Sequence, residues 1–361
     1  MNFARRIIDW QRQHGRHGLP WQGTRDPYRI WLSEIMLQQT QVTTVIGYYE
    51  RFLARFPDIA ALAAASQEDV MPYWAGLGYY ARARKLHRCA QVLVEQWQGR
   101  FPEHAEDIET LPGIGRSTAA AIAAFSGDAR TPILDGNVKR VFARYFGIEG
   151  DPSRRDTEKR MWARAHAEVP GSGTHDAGMP AYTQGLMDLG ATVCTRGRPA
   201  CGRCPLQDGC VALRDGRQDE LPTAKARKAV PERSTAMLIL TSGDSLLLHR
   251  RPSPGIWGGL WSLPEFEPEC DPLNACLALG IQAKSTTKLA SFVHVFTHYR
   301  LHITPYLASI DTARLAEPKP DHVWTPRTAL ADTALPAPVR KLLDGLYATP
   351  SGSSYPLAGL S

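Results

Sequence analysis

The feature that most constrains this chain is a cluster of cysteines in its middle third. The chain has seven cysteines, and four of them share one short stretch with six, two and five residues between them: Cys194, Cys201, Cys204 and Cys210. Thiolates that bind one inorganic centre hold their segment in a compact loop, whatever its secondary-structure preference. The other three, Cys89, Cys270 and Cys276, are scattered and are typical of small apolar residues.

The spacing of the four cysteines favours a 4Fe-4S cluster. Zinc sites commonly pair their thiols in two C-x-x-C turns, and only Cys201 and Cys204 have that spacing. Zinc and free thiols remain alternatives, and a cluster would be either redox-active or structural. Three arginines between the ligands suit contact with phosphate, or else form a solvated face of the loop: Arg196, Arg198 and Arg203.

The length and patterning of the chain indicate two domains of the α+β class. At 361 residues the chain is long for one core. Apolar residues recur at helical spacing up to about residue 190. The chain from residue 233 is β-rich, with two strands joined at Ser242-Gly243-Asp244 and a helix near 338–346. We predict an all-α domain over 1–215, a linker over 216–232, a β-rich domain over 233–347 and a disordered tail over 348–361.

Hydropathy and net charge bear on the cellular location of the protein and on the kind of partner it binds. No run of about 18 apolar residues occurs, and the first 21 residues lack an apolar signal core. We therefore expect a cytoplasmic protein. The formal net charge of +6 fits a polyanionic partner without demanding one.

A glycine-rich turn lies in Leu111-Pro112-Gly113-Ile114-Gly115-Arg116-Ser117, before an alanine-rich helix. The two glycines allow a tight turn and a close approach to a ligand, and the N–H groups of Gly113, Gly115 and the helix start are placed to bind one phosphate. The motif lacks the lysine of a P-loop, and no strand precedes it. It predicts a helical hairpin that clamps the DNA backbone, with a plain helix–helix turn as the alternative.

Two carboxylates are candidates for acid and anion. Glu34 has Ile30, Trp31, Leu37 and Gln38 as its helical neighbours, and an acid on such a face loses hydration, so its pKa rises and it can act as a general acid. The alternative is a partly exposed surface glutamate.

Asp135 precedes a helix in Leu134-Asp135-Gly136-Asn137-Val138-Lys139-Arg140, which is first of all the position of an N-cap. Its functional interpretation is an ionised carboxylate that faces a developing positive charge, as in the cleavage of glycosidic bonds.

The order of these motifs resembles the helix-hairpin-helix DNA glycosylase superfamily. The stretches WLSEIMLQQTQV and GLGYYARARKLH, with the β-rich domain, resemble the MutY family of adenine DNA glycosylases over roughly residues 5–345. The resemblance implies a six-helix barrel module and a 4Fe-4S cluster module with double-stranded DNA between them, and a target adenine flipped into a pocket.

The same resemblance implies roles for individual residues. Glu34 protonates adenine N7 and helps to activate or position water. Asp135 stabilises the sugar cation or bonds to it transiently, and Asn137 helps to order the site. Gln39 and Tyr79 enter the base stack beside the lesion.

Ser117 and the C-terminal domain refine this picture. In bifunctional relatives a lysine at the position of Ser117 forms a Schiff base with the sugar, which a hydroxyl cannot do.

The C-terminal domain resembles a Nudix fold that lacks the glutamate-rich helix for metal ions, so we expect it to bind a nucleotide and not to hydrolyse it. The family reads 8-oxoguanine with a Phe-Ser-His turn, and the matching stretch here is Phe296-Thr297-His298. Threonine keeps the hydroxyl and adds a methyl group.

The resemblance therefore implies a monofunctional, monomeric base-excision repair enzyme. It would remove adenine mispaired with 8-oxoguanine or guanine and leave an abasic site. Two alternatives are a bifunctional glycosylase-lyase for oxidised pyrimidines, which Ser117 disfavours, and a non-catalytic DNA-binding iron–sulfur redox sensor, which the pair Glu34 and Asp135 disfavours.

Overall fold

A computed structural model describes residues 2–171, 178–225, 229–253, 255–310 and 319–347. The predicted disordered tail over 348–361 lies outside these ranges. Across the described residues, no helix has the length and apolar character needed to cross a membrane.

The chain divides into two compact units. The first comprises Met1–Ala64 with Arg84–Arg227, and the second comprises Ala65–Ala83 with Lys228–Ser361. The second unit thus takes a short segment from the helical half of the chain, which the sequence pattern did not indicate. The predicted domain limits otherwise stay a prediction.

The first unit is helical, as predicted. Its helices are α1 Phe3–His14, α2 Pro27–Leu37, α3 Val42–Arg55, α4 Ile59–Ala64, the main part of α6 Ala81–Trp97, α7 Ala105–Glu109, α8 Arg116–Gly127, α9 Gly136–Phe146, α10 Arg155–Ala167, α11 Met179–Asp188 and α12 Val211–Arg214. A π-helical turn, Leu189–Val193, extends α11, and 3₁₀ turns occupy Cys201–Arg203 and Gln207–Gly209.

Local signals account for the helix starts that matter for the site. Asp26 caps α2 through the Tyr28 N–H, and Pro27 occupies the first position of the helix. Apolar faces of α1, α8, α9 and α11 then form one core. Helices α1 and α11 approach closely at Gly185, where a Cβ atom would lie 2.7 Å from Ile7 Cγ2.

The second unit is built on a mixed sheet. Its strands are β1 Glu232–Ser242, β2 Ser245–Arg250, β3 Trp261–Ser262, β4 Glu265–Phe266, β5 Thr287–Lys288, β6 Phe292–Val295, β7 Arg300–Ser309 and β8 His322–Pro326, and its helices are α5 Gln67–Val70, α13 Pro272–Ala278 and α14 Ala337–Tyr347. The sheet order is β3-β2-β1-β7-β5, with β4 beside β1, β6 beside β7 and β8 beside β2.

The centre of this sheet is a long parallel pair, β1 with β7, whose register runs from Glu232 opposite Arg300 to Thr241 opposite Ser309. The predicted hairpin at Ser242-Gly243-Asp244 joins β1 to β2, with Gly243 in the left-handed region at φ 56°. The predicted α+β class is confirmed.

Candidate active site

Glu34 lies in the last turns of α2 and lines a cavity of about 500 Å³ in the first unit. The cavity is large enough for a nucleobase-sized ligand. Burial, and then the nearby charge of Asp135, raise the pKa of Glu34 to about 8. At neutral pH this carboxyl is therefore mostly protonated, which is the state that a general acid requires.

Asp135 is both the N-cap of α9 and a neighbour of Glu34. Its Oδ1 accepts a hydrogen bond from the Val138 N–H at 2.8 Å. Burial raises the pKa of Asp135 above its ordinary value, while the N–H groups of Val138 and Asn137 and the charge of Arg140 act against this rise. The N–H groups that Asp135 caps at the start of α9 also stabilise its ionised form. Its role as an N-cap and the proposed role as an anion are therefore compatible.

The predicted glycine turn connects α7 to α8 and contacts the segment before Asp135. Gly113 has φ 84°, and a Cβ atom there would lie 2.8 Å from Lys85 Cβ, so the turn requires glycine. Gly115 caps α8 and has open space beside it. The Ser117 hydroxyl accepts a hydrogen bond from the Leu134 N–H at 2.9 Å, which ties the start of α8 to the approach of Asp135.

Asn137 is held in place by Arg140 and by a glycine of the π-helical turn. Arg140 Nη2 donates to Asn137 Oδ1 at 2.8 Å and to the Gly190 carbonyl at 2.6 Å, and its Nε donates to the Cys194 carbonyl at 2.7 Å. A Cβ atom on Gly190 would lie only 2.6 Å from Asn137 Cβ. The polypeptide around the cysteine loop therefore sets the position of Asn137.

A second arginine of α9 organises the cysteine loop. Arg144 is buried, and its guanidinium donates to the Thr195 carbonyl at 2.7 Å, the Arg196 carbonyl at 3.0 Å and the Cys194 Sγ at 3.4 Å. Its Nε donates to the Leu221 carbonyl at 2.8 Å. Residues at the start of the predicted linker are thereby packed on the helical unit.

The four loop cysteines fit a cluster. All are half-buried and none forms a disulfide. Cys194, Cys201 and Cys210 each lie near enough to Cys204 to act on its charge. Within the described ranges no three His, Cys, Asp or Glu side chains converge as a single metal ion requires. A 4Fe-4S cubane takes one thiolate on each of its four irons, so four neighbouring thiols of one loop suit it.

The predicted DNA-contacting residues are placed at exposed positions. Gln39 and Tyr79 both adopt left-handed backbone conformations, with φ 58° and 49°, and Tyr79 is 42% exposed. A solvated ring at a constrained turn suits insertion into a base stack. The three loop arginines are also exposed: Arg196, Arg198 and Arg203.

In the second unit, the predicted lesion-reading residues form the tip of the β6–β7 hairpin. Phe296 is half-buried and stacks on Tyr299 with ring centroids 4.7 Å apart, and its N–H donates to the Tyr299 carbonyl. Thr297 and His298 are exposed, with Thr297 Oγ1 3.4 Å from His298 Nδ1. The hairpin tip thus exposes a hydroxyl and an imidazole beside the stacked rings of Phe296 and Tyr299.

Sequence reasoning missed a polar residue of α11 that lines the cavity. Gln184 lines the cavity, and its Nε2 donates to Asp188 Oδ1 at 2.9 Å. Asp188 is fully buried and pairs with Arg16. The sequence did offer a signal: Gln184 and Asp188 are four residues apart on the mostly apolar helix α11. The sequence analysis considered only the carboxyls of Glu34 and Asp135.

Comparisons with known families agree with this geometry. Residues 32–166 match the HhH-GPD superfamily of base excision DNA repair proteins. Residues 194–210 match the iron-sulfur binding domain of endonuclease III, which confirms the predicted 4Fe-4S cluster. Residues 235–345 match a NUDIX domain.

Whole-chain relatives and one solved structure extend this agreement. The chain is 35% identical to the adenine DNA glycosylase of Buchnera aphidicola subsp. Schizaphis graminum, over 95% of this chain and 98% of that protein. It is 31% identical to the adenine DNA glycosylase of Mus musculus, over 94% of this chain and 77% of that protein. A thermostable thymine-DNA glycosylase structure superimposes with a TM-score of 0.53 at 28% identity, covering 59% of this chain and 95% of that chain.

Proposed function

The chain belongs to the adenine DNA glycosylase family, and from this premise we propose that it removes adenine mispaired with 8-oxoguanine or guanine in duplex DNA, acting as a monomer. The observation that carries the proposal is a pair of neighbouring carboxyls, of which Glu34 lines the cavity. Glu34 has a pKa of about 8 and is protonated at neutral pH, and Asp135 lies close enough for its charge to contribute to that rise.

The first step is acid-assisted departure of the base. With adenine flipped into the cavity, the Glu34 carboxyl gives its proton to adenine N7, and the electron pair of the bond between C1′ and N9 leaves with the base. Protonation makes adenine a better leaving group, because the departing nitrogen no longer carries a full negative charge. Glu34 is left as a carboxylate.

The second step is capture of the sugar cation by water. The Asp135 carboxylate faces the positive charge that develops at C1′ and stabilises it by electrostatic attraction. The Glu34 carboxylate accepts a proton from water as the oxygen bonds to C1′, which leaves an abasic site and restores the acid. Asn137, fixed by Arg140, supplies a positioned amide beside this reaction.

The chain is monofunctional in this proposal because no amine replaces the Ser117 hydroxyl. That hydroxyl accepts from the Leu134 N–H and forms part of the scaffold of the site. A hydroxyl cannot form the imine that leads to strand cleavage.

The cysteine loop and the glycine turn are proposed to hold the DNA. Cys194, Cys201, Cys204 and Cys210 would hold the 4Fe-4S cluster, which would supply cross-links that keep the loop compact. The exposed arginines of that loop and the N–H groups at Gly113 and Gly115 bind phosphates.

The hairpin tip of the second unit is proposed to read the base opposite the adenine. The Thr297 hydroxyl and the His298 imidazole are exposed hydrogen-bonding groups, and Phe296 anchors them to Tyr299. They would distinguish 8-oxoguanine from guanine, which carry different groups at C8 and N7.

The test is incubation of the purified protein with a duplex that holds one adenine opposite 8-oxoguanine, followed by treatment with or without hot alkali. We expect cleavage at the adenine only after alkali, as an abasic product requires. Cleavage without alkali would contradict the monofunctional assignment, and tight binding without cleavage under either condition would contradict the enzymatic one.

A further inference from the structure

We propose that Trp257 is a positioning residue for the β6–β7 hairpin tip: its indole fixes the ring of Phe296 and thereby sets how strongly the protein distinguishes adenine opposite 8-oxoguanine from adenine opposite guanine. The inference rests on the proposed function, because it names a residue on which the reading of the opposite base depends. Trp257 lies in the turn between β2 and β3, outside the hairpin itself.

Trp257 adopts a backbone conformation that costs free energy. Its φ is 55°, a left-handed value that bulky residues rarely take. The residue is nevertheless only 5% exposed. Strained residues persist where the surrounding structure holds them, and they are common at sites that bind a ligand. The contacts of the Trp257 ring show what this strained conformation serves.

The turn that carries Trp257 is held by Arg251. The Arg251 N–H donates to the Leu260 carbonyl at 2.8 Å, and the Gly259 N–H donates to the Arg251 carbonyl at 3.0 Å. The Arg251 guanidinium forms a largely buried ion pair with Glu265 at 2.6 Å. Its Cζ lies 5.9 Å from the centroid of the Trp257 ring. Main-chain and side-chain contacts of one residue thus close the turn and place the indole.

The Trp257 ring packs on two rings of the hairpin. Its centroid is 5.5 Å from that of Phe296 and 5.8 Å from that of His294. Those two rings contact each other edge to face at 4.5 Å. They alternate along the chain with Val293 and Val295, which are 47% and 64% exposed. The side of the hairpin that carries His294 and Phe296 is therefore its packed side, and Trp257 contacts it there.

The position of Phe296 determines the position of the tip. The Phe296 N–H donates to the Tyr299 carbonyl at 2.9 Å and its ring stacks on Tyr299, so Thr297 and His298 lie in a turn closed by these two contacts. Without the indole, Phe296 loses a packing partner and the tip gains freedom to move. A displaced hydrogen-bonding group then loses its partner on the base.

The test is Trp257→Ala, assayed by single-turnover excision of adenine opposite 8-oxoguanine and opposite guanine. We expect the rate on the 8-oxoguanine mispair to fall by about tenfold and the rate on the guanine mispair to stay within about twofold. The catalytic carboxyls belong to the first unit and keep their contacts. Trp257→Phe keeps a flat ring and should restore most of the ratio between the two rates.

Trp324→Ala is the matched control. It removes an indole that packs against the hydrophobic core of the same unit, so it costs stability there and should leave the ratio of the two rates unchanged. An unchanged ratio in Trp257→Ala, or an equal fall of the ratio in Trp324→Ala, would overturn the proposal.

A background without the reading groups tests the route of the effect. In a protein with both Thr297→Ala and His298→Ala, adding Trp257→Ala should change the ratio by less than about twofold, because the groups that Trp257 positions are absent. A further tenfold fall of the ratio in that background would show that Trp257 acts by another route and would overturn the proposal.

If Trp257→Ala does not fold, Trp257→Leu fills more of the same space without the flat ring, and it should still lower the ratio. An unchanged ratio in Trp257→Leu, with a wild type that discriminates between the mispairs, would overturn the role of Trp257 alone. A wild-type protein inert on both mispairs would instead overturn the proposed function. The ratio of dissociation constants for the two duplexes, which needs no excision, then decides the role of Trp257 in the same way.

Discussion

The candidate catalytic site and the β6–β7 hairpin tip are built differently: the first combines residues from distant parts of the chain, and the second is one local turn. Glu34, Asp135 and Asn137 are brought together from α2 and α9 and are held by residues far apart in the chain, such as Ser117 and Gly190. Thr297 and His298 lie in one short turn and are exposed.

The contrast follows from the role that is proposed for each region. A carboxyl can act as an acid at neutral pH only when burial and a neighbouring charge raise its pKa, and this requires a scaffold on several sides. A turn that hydrogen-bonds to a base in DNA needs only exposed donors and acceptors. A local hairpin with one aromatic side chain packed beneath it can provide them. Changes in the first region should therefore alter the rate on every substrate, and changes in the second should alter discrimination alone.

The largest effect is expected from the substitution of Glu34, the proposed general acid. Glu34→Gln keeps the shape of the side chain and deletes its titrating proton, and we expect adenine excision to fall by about 10²-fold to 10⁴-fold with DNA binding retained. Single-turnover kinetics and a binding assay measure the two quantities. Glu50→Gln, on the exposed face of α3, is the matched control. An active Glu34→Gln protein would show that another group supplies the proton.

The scaffold around Asn137 is the next test. A methyl group at Gly190 would lie 2.6 Å from Asn137 Cβ, so Gly190→Ala should displace Asn137 and Arg140. We expect excision to fall by about 10²-fold on both 8-oxoguanine and guanine mispairs, because small misplacements of a reacting group are that costly. Gly197→Ala, where a Cβ atom meets open space, should be neutral. A normal rate in Gly190→Ala would mean that Asn137 has no part in the chemistry.

The pH profile tests the shifted acid directly. Because the pKa of Glu34 is about 8, its proton is present below that pH and lost above it, and the excision rate should fall by about tenfold per unit on the alkaline side. The same shift predicts that Glu34 favours folding at low pH and that this contribution is lost as the pH rises through about 8. Glu34→Gln should accordingly raise the melting temperature more at pH 9 than at pH 5. A profile flat to pH 10 would contradict this account.

The smallest expected effect lies in the hairpin. His298→Ala removes an exposed imidazole and should lower the rate on adenine opposite 8-oxoguanine by about tenfold, the value of one good hydrogen bond. The rate on adenine opposite guanine should stay within about twofold. His302→Ala, at an exposed position of β7, is the control. Equal losses on the two mispairs would remove the distinction between a catalytic and a reading region.

Much of this molecule was predictable from short-range patterns. The hairpin around Gly243, the helix near residues 338–346 and the cap position of Asp135 depend on residues close together in the chain, and the structure has all three. The left-handed conformations of Gln39 and Tyr79 were not predictable, because neither residue type favours them. The contact of Arg144 with the cysteine loop was equally hidden, since a basic residue in the last turn of α9 is also an ordinary surface feature.

The sequence by itself determined the chemical inventory of the protein: four thiols in one short stretch, a glycine turn before α8, two carboxyls in helical contexts and a serine, Ser117, after the turn. Only the tertiary structure decided how these groups behave. The pKa of Glu34 depends on burial and on the charge of Asp135, a hundred and one residues away in the chain. The buried Asp188 is likewise paired with Arg16, which lies beyond the end of α1. Desolvation and electrostatic interaction act through space, so their values are settled only when distant segments meet.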